Sequence, residues 1–221
     1  MAPQRSTTTA PATPSPAARS PPPYSAIRGS PTPTFSWSDV VWGNVVVMTA
    51  WHVGAAYGAF YVMPEASWGA ILVLWVSFWF WSALGVTAGS HRLWSHRSYK
   101  AKLPLQVFLM LLSSMAYQNS IFEWSRDHRV HHKGSDTTAD PHNSNRGFFF
   151  AHMGWLLMRK HPDVFKESKK INNTDLETDP IVQFQKRHYQ LIALSMCYGF
   201  PTVVGYAFGS AASSATCGSF T

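Results

Sequence analysis

The sequence predicts an all-α integral membrane protein, in which transmembrane helices carry a helical cap on the cytosolic side. Only 13% of the 221 residues are charged and ten are tryptophan, whereas about a quarter of the residues of a soluble domain are usually charged. Two long runs, residues 40–63 and 68–88, contain no Lys, Arg, Asp or Glu. A polar, histidine-rich stretch follows at residues 123–143. Together these features indicate a bilayer as the solvent for the apolar part of the chain.

Residues 1–36 are predicted to form a disordered arm. They are rich in Pro, Ser, Thr and Ala, and such a composition cannot bury enough apolar surface to offset the entropy of ordering. The arm also lacks the apolar core of a signal peptide, so a later segment is expected to enter the membrane.

The two uncharged runs are predicted to form a transmembrane hairpin, closed by a tight turn at Pro64 and Glu65. Each run is long enough to cross a bilayer, which takes roughly 20 apolar residues. Residues 191–208 are predicted to be a third span, and residues 209–221 a short tail. The membrane domain is therefore expected to cover residues 37–208.

Residues 103–116 are apolar, but they are too few for a crossing. If the histidines on either side of this segment serve one site, both groups must emerge on the same face of the membrane. One short segment cannot cross twice, so it is predicted to be an amphipathic helix in the membrane interface. The polar residues 125–187 should form the cap.

Charge predicts the orientation. Fifteen of the eighteen Lys and Arg residues lie within residues 92–187, and basic loops face the cytosol. The positive net charge does not indicate nucleic-acid binding, because no motif or basic stripe of that kind is present. Cys197 and Cys217 indicate no disulfide framework and no metal motif.

Three histidines carry the first chemical signal: His128, His131 and His132. Their i, i+3, i+4 spacing places them on one face of a helix, and neutral imidazole is a common ligand of iron, zinc and copper. The alternative is a solvated basic face, because Arg126 and Arg129 interleave with them.

A second pair, His91 and His96, precedes that group. A spacing of five residues rotates about 140° on a regular helix, so the helix is expected to end or unwind near residues 93–95 if both rings serve one site. The alternative is a pair of interfacial histidines at the end of a span. Both groups at one membrane face predict an all-nitrogen metal site. Four carboxylates are candidates for orienting the ligands: Glu123, Asp127, Asp136 and Asp140.

The remaining histidines are expected to have structural roles. His52 lies inside the first predicted span, without a metal-spaced partner, and is expected to be packed or interfacial. Four others lie in the cap outside the two groups and are expected to be structural or solvated: His142, His152, His161 and His188.

The stretches GVTAGSHRLWSHRSYKAKLPL and QNSIFEWSRDHRVHHKGSDTTADPHNSNRGFFFAHMGWLL resemble the membrane acyl-CoA Δ9-desaturases, the stearoyl-CoA desaturase group. The resemblance covers residues 37–208. It implies O2-dependent insertion of a cis double bond between C9 and C10 of palmitoyl- or stearoyl-CoA. Electrons would come from cytochrome b5 and its NADH-dependent reductase, and the enzyme would lie in the endoplasmic reticulum membrane with its active site facing the cytosol. The implied cofactor is two irons, with five ligands: His91, His96, His128, His131 and His132.

The resemblance also implies a substrate site. The positions that match contacts to coenzyme A are Asn44, Asn119, Arg126, Asp127, Arg159 and Lys160. Trp124 matches the bend of the acyl tunnel, and Trp79 and Ala83 match its closed end. Trp79 is larger than the aromatic residues expected there, which predicts acyl chains no longer than palmitoyl and stearoyl. The alternative for Trp79 is a lipid-facing side chain.

The family pattern also contains a fourth span and a third histidine box of the HNxHH type, and neither is present in this sequence. A C-terminally truncated chain is therefore expected, with two hypotheses for its function. It is a fragment or truncated product of a Δ9-desaturase, or it is a non-catalytic membrane protein that binds acyl-CoA or associates with full-length desaturases. A membrane di-iron hydroxylase ranks third, because that group lacks the ADPHNSNRGFFF segment.

Overall fold

The regular structure is helical, as the sequence predicts. The computed structural model describes residues 35–62, 64 and 68–206. Within these ranges there is no β-strand, and one isolated antiparallel bridge pairs Val40 with Met158. The all-α class is therefore confirmed for the described part of the chain.

Three predicted features fall wholly or mostly outside the described residues. They are the arm at residues 1–36, of which the last two residues are described, the position of Glu65 in the predicted turn, and the tail at residues 209–221.

The first two helices consist of uncharged residues. Helix α1 spans Trp42–Tyr57 and continues into a π-helical turn at Gly58–Val62, and helix α2 spans Trp68–Leu84. Large apolar side chains on both are exposed, such as Trp75 and Trp79. Within the described ranges, no helix combines the length and the apolar character that a membrane crossing requires.

Helix α2 runs directly into an 11-residue π-helix, Gly85–Ser95. The backbone N–H of His96 bonds the carbonyl of His91 at 3.0 Å, which is the five-residue bond of a π-turn. The helix ends at Ser95, within the predicted residues 93–95. What the sequence did not predict is its π-helical form, which brings residues five apart onto one face.

The π-helix packs closely on helix α3, Leu103–Met115. A Cβ atom at Gly85 would lie 2.2 Å from the carbonyl carbon of Leu112, so the two backbones are in contact there. The hydroxyl groups of Ser90 and Ser113 are hydrogen-bonded at 2.6 Å. The predicted helix at residues 103–116 is confirmed as a helix, and its place in a membrane interface stays a prediction.

Helix α4, Ile121–Gly134, carries the histidine triad. Its N-cap is Ser120, whose side-chain oxygen accepts a hydrogen bond from the N–H of Glu123 at 3.3 Å, and this satisfies a helix-terminal donor. The buried residues Ile121 and Phe122 join a core that also contains Leu93 and Trp94 of the π-helix. This core fixes the two histidine-bearing elements against each other.

Shorter helices follow α4 in the chain. They are α5 Trp155–Leu157, α6 Pro162–Ser168, α7 Thr174–Thr178, α8 Pro180–Arg187 and α9 Tyr189–Leu194. A π-turn at Ser195–Gly199 and a helical segment at residues 200–206 follow α9. The fully buried Gln185 connects three elements, because its amide donates to Ser114 Oγ at 3.1 Å and its carbonyl oxygen accepts from the N–H of Ile121 at 3.0 Å.

Candidate metal centre

Four histidines bring their imidazole groups together, and we call them the four-imidazole cluster: His91, His96, His128 and His132. One ring nitrogen of each lies within 4.8 Å of the others. His96 Nε2 lies 3.1 Å from His91 Nε2 and 3.1 Å from His128 Nε2. His132 Nε2 lies 3.0 Å from His128 Nε2. Two of the rings come from the π-helical segment and two from α4.

Backbone geometry explains the convergence. His128 and His132 are four residues apart on α4, so their rings share one face. His91 and His96 share a face because the π-turn joins them. The shared core then turns the two faces towards each other, so that the His96 and His128 rings lie 5.1 Å apart, centroid to centroid.

Partial burial and the neighbouring imidazoles disfavour the charged forms of three of these histidines. Burial, and then the neighbouring imidazoles, lower the pKa of His128 to about 3. Burial is also the main reason why the pKa values of His96 and His132 are lowered. A neutral imidazole carries the lone pair that binds a metal, whereas an imidazolium does not.

The spacing of these nitrogens fits one transition-metal ion. Imidazole nitrogens bind such ions at about 2.0–2.1 Å, so two neighbouring ligands at a right angle lie about 3.0 Å apart. Sets of imidazoles suit zinc, copper, iron and nickel. The donor set therefore fits iron, and the residues that would hold it are the four histidines of the cluster.

His131 belongs to a different group. Its Nδ1 lies 2.9 Å from Asp140 Oδ1, and His142 Nδ1 lies 3.6 Å from the same oxygen. The ligand atoms of His131, Asp140 and His142 fall within 4.8 Å of one another. The structure therefore divides the five histidines expected in one di-iron site between two groups. His142, which the sequence predicts to be structural or solvated, lies beside His131 and Asp140.

The hydrogen bond between His131 and Asp140 affects the pKa values in this second group. It is the main reason why the pKa of His131 is raised, although burial opposes the change. Burial and the charge of His131 lower the pKa of His142. Asp140 also accepts hydrogen bonds from the backbone N–H groups of Asp136 and His142, at 2.9 and 3.1 Å, so its position is well defined.

A cavity of about 570 Å³ adjoins the four-imidazole cluster. His128 lines it, and so does Trp124, whose indole stacks on the His128 ring at 4.8 Å. Trp124 Nε1 donates to Gln118 Oε1 at 3.3 Å. Trp51 and Trp155 add apolar surface to the wall. The cavity therefore offers apolar surface directly beside the metal-binding atoms.

Several residues predicted to contact coenzyme A surround this cavity. Asn44, Asn119 and Asp127 line it. The amide of Asn44 donates to the carbonyl of Leu156 at 2.7 Å, and Asn119 adopts a positive φ of 71°. These three residues, all predicted to contact coenzyme A, therefore line the same cavity.

Three basic residues predicted to contact coenzyme A lie beside the main cavity: Arg126, Arg159 and Lys160. Asp127 forms ion pairs with Arg126, at 3.0 Å, and with Lys160. Arg159 and Lys160 line a smaller cavity of about 80 Å³. Cationic groups thus border the main cavity at Asp127.

The other two predicted tunnel residues lie away from this cavity. Trp79 and Ala83 line neither this cavity nor the smaller cavity that contains Arg159 and Lys160. Trp79 is 62% exposed and stacks on Trp75, with ring centroids 6.4 Å apart. Trp124 is the predicted tunnel residue that the structure places in the cavity wall.

Sequence reasoning missed the role of Arg129. The sequence pattern includes it only in the alternative of a solvated basic face, yet its side chain is 9% exposed and pairs with Asp175 at 2.7 Å. The signal that could have identified it is its position between two candidate ligands on the same helix.

Curated proteins provide the comparison that assigns the family. The chain is 54% identical over 184 residues to an acyl-CoA desaturase of Cyprinus carpio, which covers 82% of this chain and 54% of the relative. It is 56% identical over 167 residues to stearoyl-CoA desaturase 5 of Bos taurus, which covers 75% of this chain and 49% of the relative. The chain belongs to the acyl-CoA desaturase family.

A third curated relative is slightly less similar. A Delta(9)-fatty-acid desaturase of Caenorhabditis elegans is 48% identical over 166 residues, covering 75% of this chain and 49% of the relative. No protein-family model matches the chain. The chain spans about half the length of these desaturase relatives.

Proposed function

We propose that the chain is part of an acyl-CoA Δ9-desaturase, which inserts a cis double bond between C9 and C10 of palmitoyl- or stearoyl-CoA with O2. One observation carries the proposal: four imidazoles converge beside a cavity whose wall contains Trp124 and His128. The similarity to acyl-CoA and stearoyl-CoA desaturases supports it.

Two irons are the proposed cofactor. The four-imidazole cluster would hold one, and the group of His131, Asp140 and His142 would hold the other. When bound, iron supplies the activation of O2 and the removal of hydrogen from a saturated carbon chain, chemistry that protein side chains do not provide. The chain's own part is ligation and the orientation of the ligands.

The cavity residues have separate tasks in this proposal. His128 stays neutral at physiological pH because its pKa is about 3, so its lone pair is available for ligation. Trp124 forms the wall that directs the acyl chain past the cluster. Arg159 and Lys160 would bind the phosphates of coenzyme A through charge-assisted hydrogen bonds.

A membrane location belongs to the same proposal. Helices α1 and α2 carry no charged side chain and expose large apolar ones, and such surfaces suit lipid chains. We propose that residues 40–63, 68–88 and 191–208 lie in the endoplasmic reticulum membrane. The cap would face the cytosol, where cytochrome b5 delivers electrons from its NADH-dependent reductase.

One observation favours a second candidate, a non-catalytic chain that binds acyl-CoA or associates with longer desaturases. The group around His131 offers three donors, whereas the cluster offers four.

Turnover by the purified full chain separates the two candidates. The chain in detergent would receive Fe(II), stearoyl-CoA, O2, NADH, cytochrome b5 and its reductase, and oleoyl-CoA would be measured by mass spectrometry. A His96→Ala variant is the control without an intact cluster. Oleoyl-CoA formed by the wild type but not by this variant supports the desaturase. Stearoyl-CoA binding without product supports the second candidate. Absence of both contradicts the desaturase and the acyl-CoA-binding form of the second candidate.

A further inference from the structure

The end of the π-helix depends on a side chain from another helix. The last carbonyl groups of a helix have no partner within it. Here the carbonyl oxygen of Trp94 accepts from Arg129 Nη2 at 2.7 Å, and that of Ser95 accepts from Arg129 Nε at 3.2 Å. These are the last two residues of the π-helix, so the guanidinium of Arg129 acts as its C-terminal cap.

A cation is well suited to this position. The carbonyl end of a helix carries partial negative charge, which a buried positive group stabilises. The fork of the guanidinium also matches two neighbouring carbonyl oxygens, as a lysine ammonium would not. The Arg129 side chain is 9% exposed, so water competes little for these hydrogen bonds.

The guanidinium is itself held in place. Arg129 Nη1 and Nη2 donate to the two carboxylate oxygens of Asp175, at 3.0 and 2.7 Å. Nη1 also donates to the carbonyl of Asn172 and to Asn173 Oδ1, both at 3.1 Å. Every nitrogen of the guanidinium is therefore engaged, and the group has little freedom to move.

This cap lies next to the metal-binding atoms. Trp94 and Ser95 immediately precede His96, whose N–H closes the π-turn onto the carbonyl of His91. Arg129 itself follows His128 in the chain. One buried side chain thus connects the backbone that carries one half of the cluster to the helix that carries the other half.

We propose that Arg129 is a positioning residue for the four-imidazole cluster, which caps the π-helix so that His91 and His96 face His128 and His132. The proposal rests on the proposed function in one respect, namely that the cluster binds a metal. If the ion pair of Arg129 only stabilised the fold, its removal would leave metal affinity unchanged. If Arg129 positions the histidines, metal affinity must fall when its guanidinium is removed.

Metal affinity gives the first test. The full chain in detergent is titrated with Co(II), and ligand-field absorption reports both the affinity and the ligand set. Arg129→Met is expected to weaken binding about 10- to 100-fold, as removal of residues that orient metal ligands does. Arg129→Lys, which keeps the charge but loses the fork, should fall in between.

Glu167→Gln is the matched control. Glu167 lies on α6 and pairs at 3.2 Å with Lys133 of α4, the helix that also carries Arg129. It has no bond to the π-helix. This variant should bind Co(II) as the wild type does. Equal affinities of Arg129→Met and the wild type would overturn the proposal, and so would an equal loss in Glu167→Gln.

Hydrogen exchange gives a second test that needs no metal. In Arg129→Met the His96 amide, which closes the π-turn, should exchange about tenfold faster than in the wild type, while Glu167→Gln leaves it unchanged. Unchanged exchange in Arg129→Met would refute the cap. If the wild type binds no Co(II), the proposed metal site fails, and the exchange result still decides whether Arg129 caps the π-helix.

Discussion

The indole of Trp124 stacks on the imidazole of His128, with ring centroids 4.8 Å apart and planes inclined by 26°. This contact joins the wall of the cavity to the four-imidazole cluster. The same indole meets the His91 ring edge-on at 6.1 Å. Trp124 thus contacts one histidine from each half of the cluster.

Trp124→Ala is expected to weaken stearoyl-CoA binding about tenfold, because the indole lines the cavity and its removal takes away apolar surface that the acyl chain would cover, at roughly 25 cal/mol per Å². Calorimetric titration in detergent measures the change. Trp75→Ala is the control, since Trp75 is exposed on α2 and lies outside the cavity lining. Equal losses in both variants would show that the effect is not specific to the cavity.

The ion pair of Asp175 should make stability depend on pH. Burial opposes ionisation of Asp175, but hydrogen bonds from Arg129 and Arg97 outweigh it, and the pKa of Asp175 is lowered. A lowered pKa contributes stability above the unfolded value, about 3.9 for aspartate. That contribution is lost as the pH falls through the folded value.

The measurement is the difference in Tm between the wild type and Asp175→Asn as a function of pH. The difference should be constant between about pH 5 and 7 and should shrink below about pH 4. A difference that persisted unchanged at pH 2 would show that the carboxylate charge is not what stabilises the fold.

Gly85→Ala is expected to destabilise the fold by about 1–3 kcal/mol, as overpacking usually does. The added Cβ would lie 2.2 Å from the backbone of Leu112, so the π-helix or α3 must shift. Thermal unfolding in detergent measures the effect. Gly54→Ala serves as the control, because nothing lies within 4 Å of a Cβ at that position. Similar Tm values for the two variants would argue against the close packing of the π-helix on α3.

The sequence predicted the parts of the site that depend on local spacing. The i, i+4 pair of His128 and His132 shares one face of α4, as expected. His131 differs because its partner, Asp140, is supplied by the turn after the helix. Nothing in the spacing of the triad distinguishes His131 from its neighbours.

Longer-range contacts account for most of what was not predicted. Two residues five apart lie on different faces of a regular α-helix. The π-helix that places His91 and His96 on one face is seen only in the structure, where it packs against α3 and α4. Arg129 finds its partner Asp175 46 residues later in the chain. A sequence pattern does not record such a pairing, and the cap was therefore missed.

His131→Ala tests the division into two groups. The variant should keep the metal ion held by the four-imidazole cluster and lose the ion assigned to the second group, because His131 contributes to the second group alone. Metal analysis of the iron-loaded chain should show a fall from about two ions to about one, the remaining cluster ion having ordinary imidazole ligation. Loss of all bound metal would mean that His131 is part of the cluster.

The count of imidazole ligands tests the central claim most directly. X-ray absorption fine structure would be recorded on the chain loaded with one equivalent of zinc, a redox-silent probe. We predict four nitrogen ligands at about 2.0–2.1 Å with the outer-shell scattering of imidazole, and three such imidazoles in His96→Ala. A zinc spectrum without imidazole scattering, or one that His96→Ala leaves unchanged, would contradict a metal centre built from His91, His96, His128 and His132.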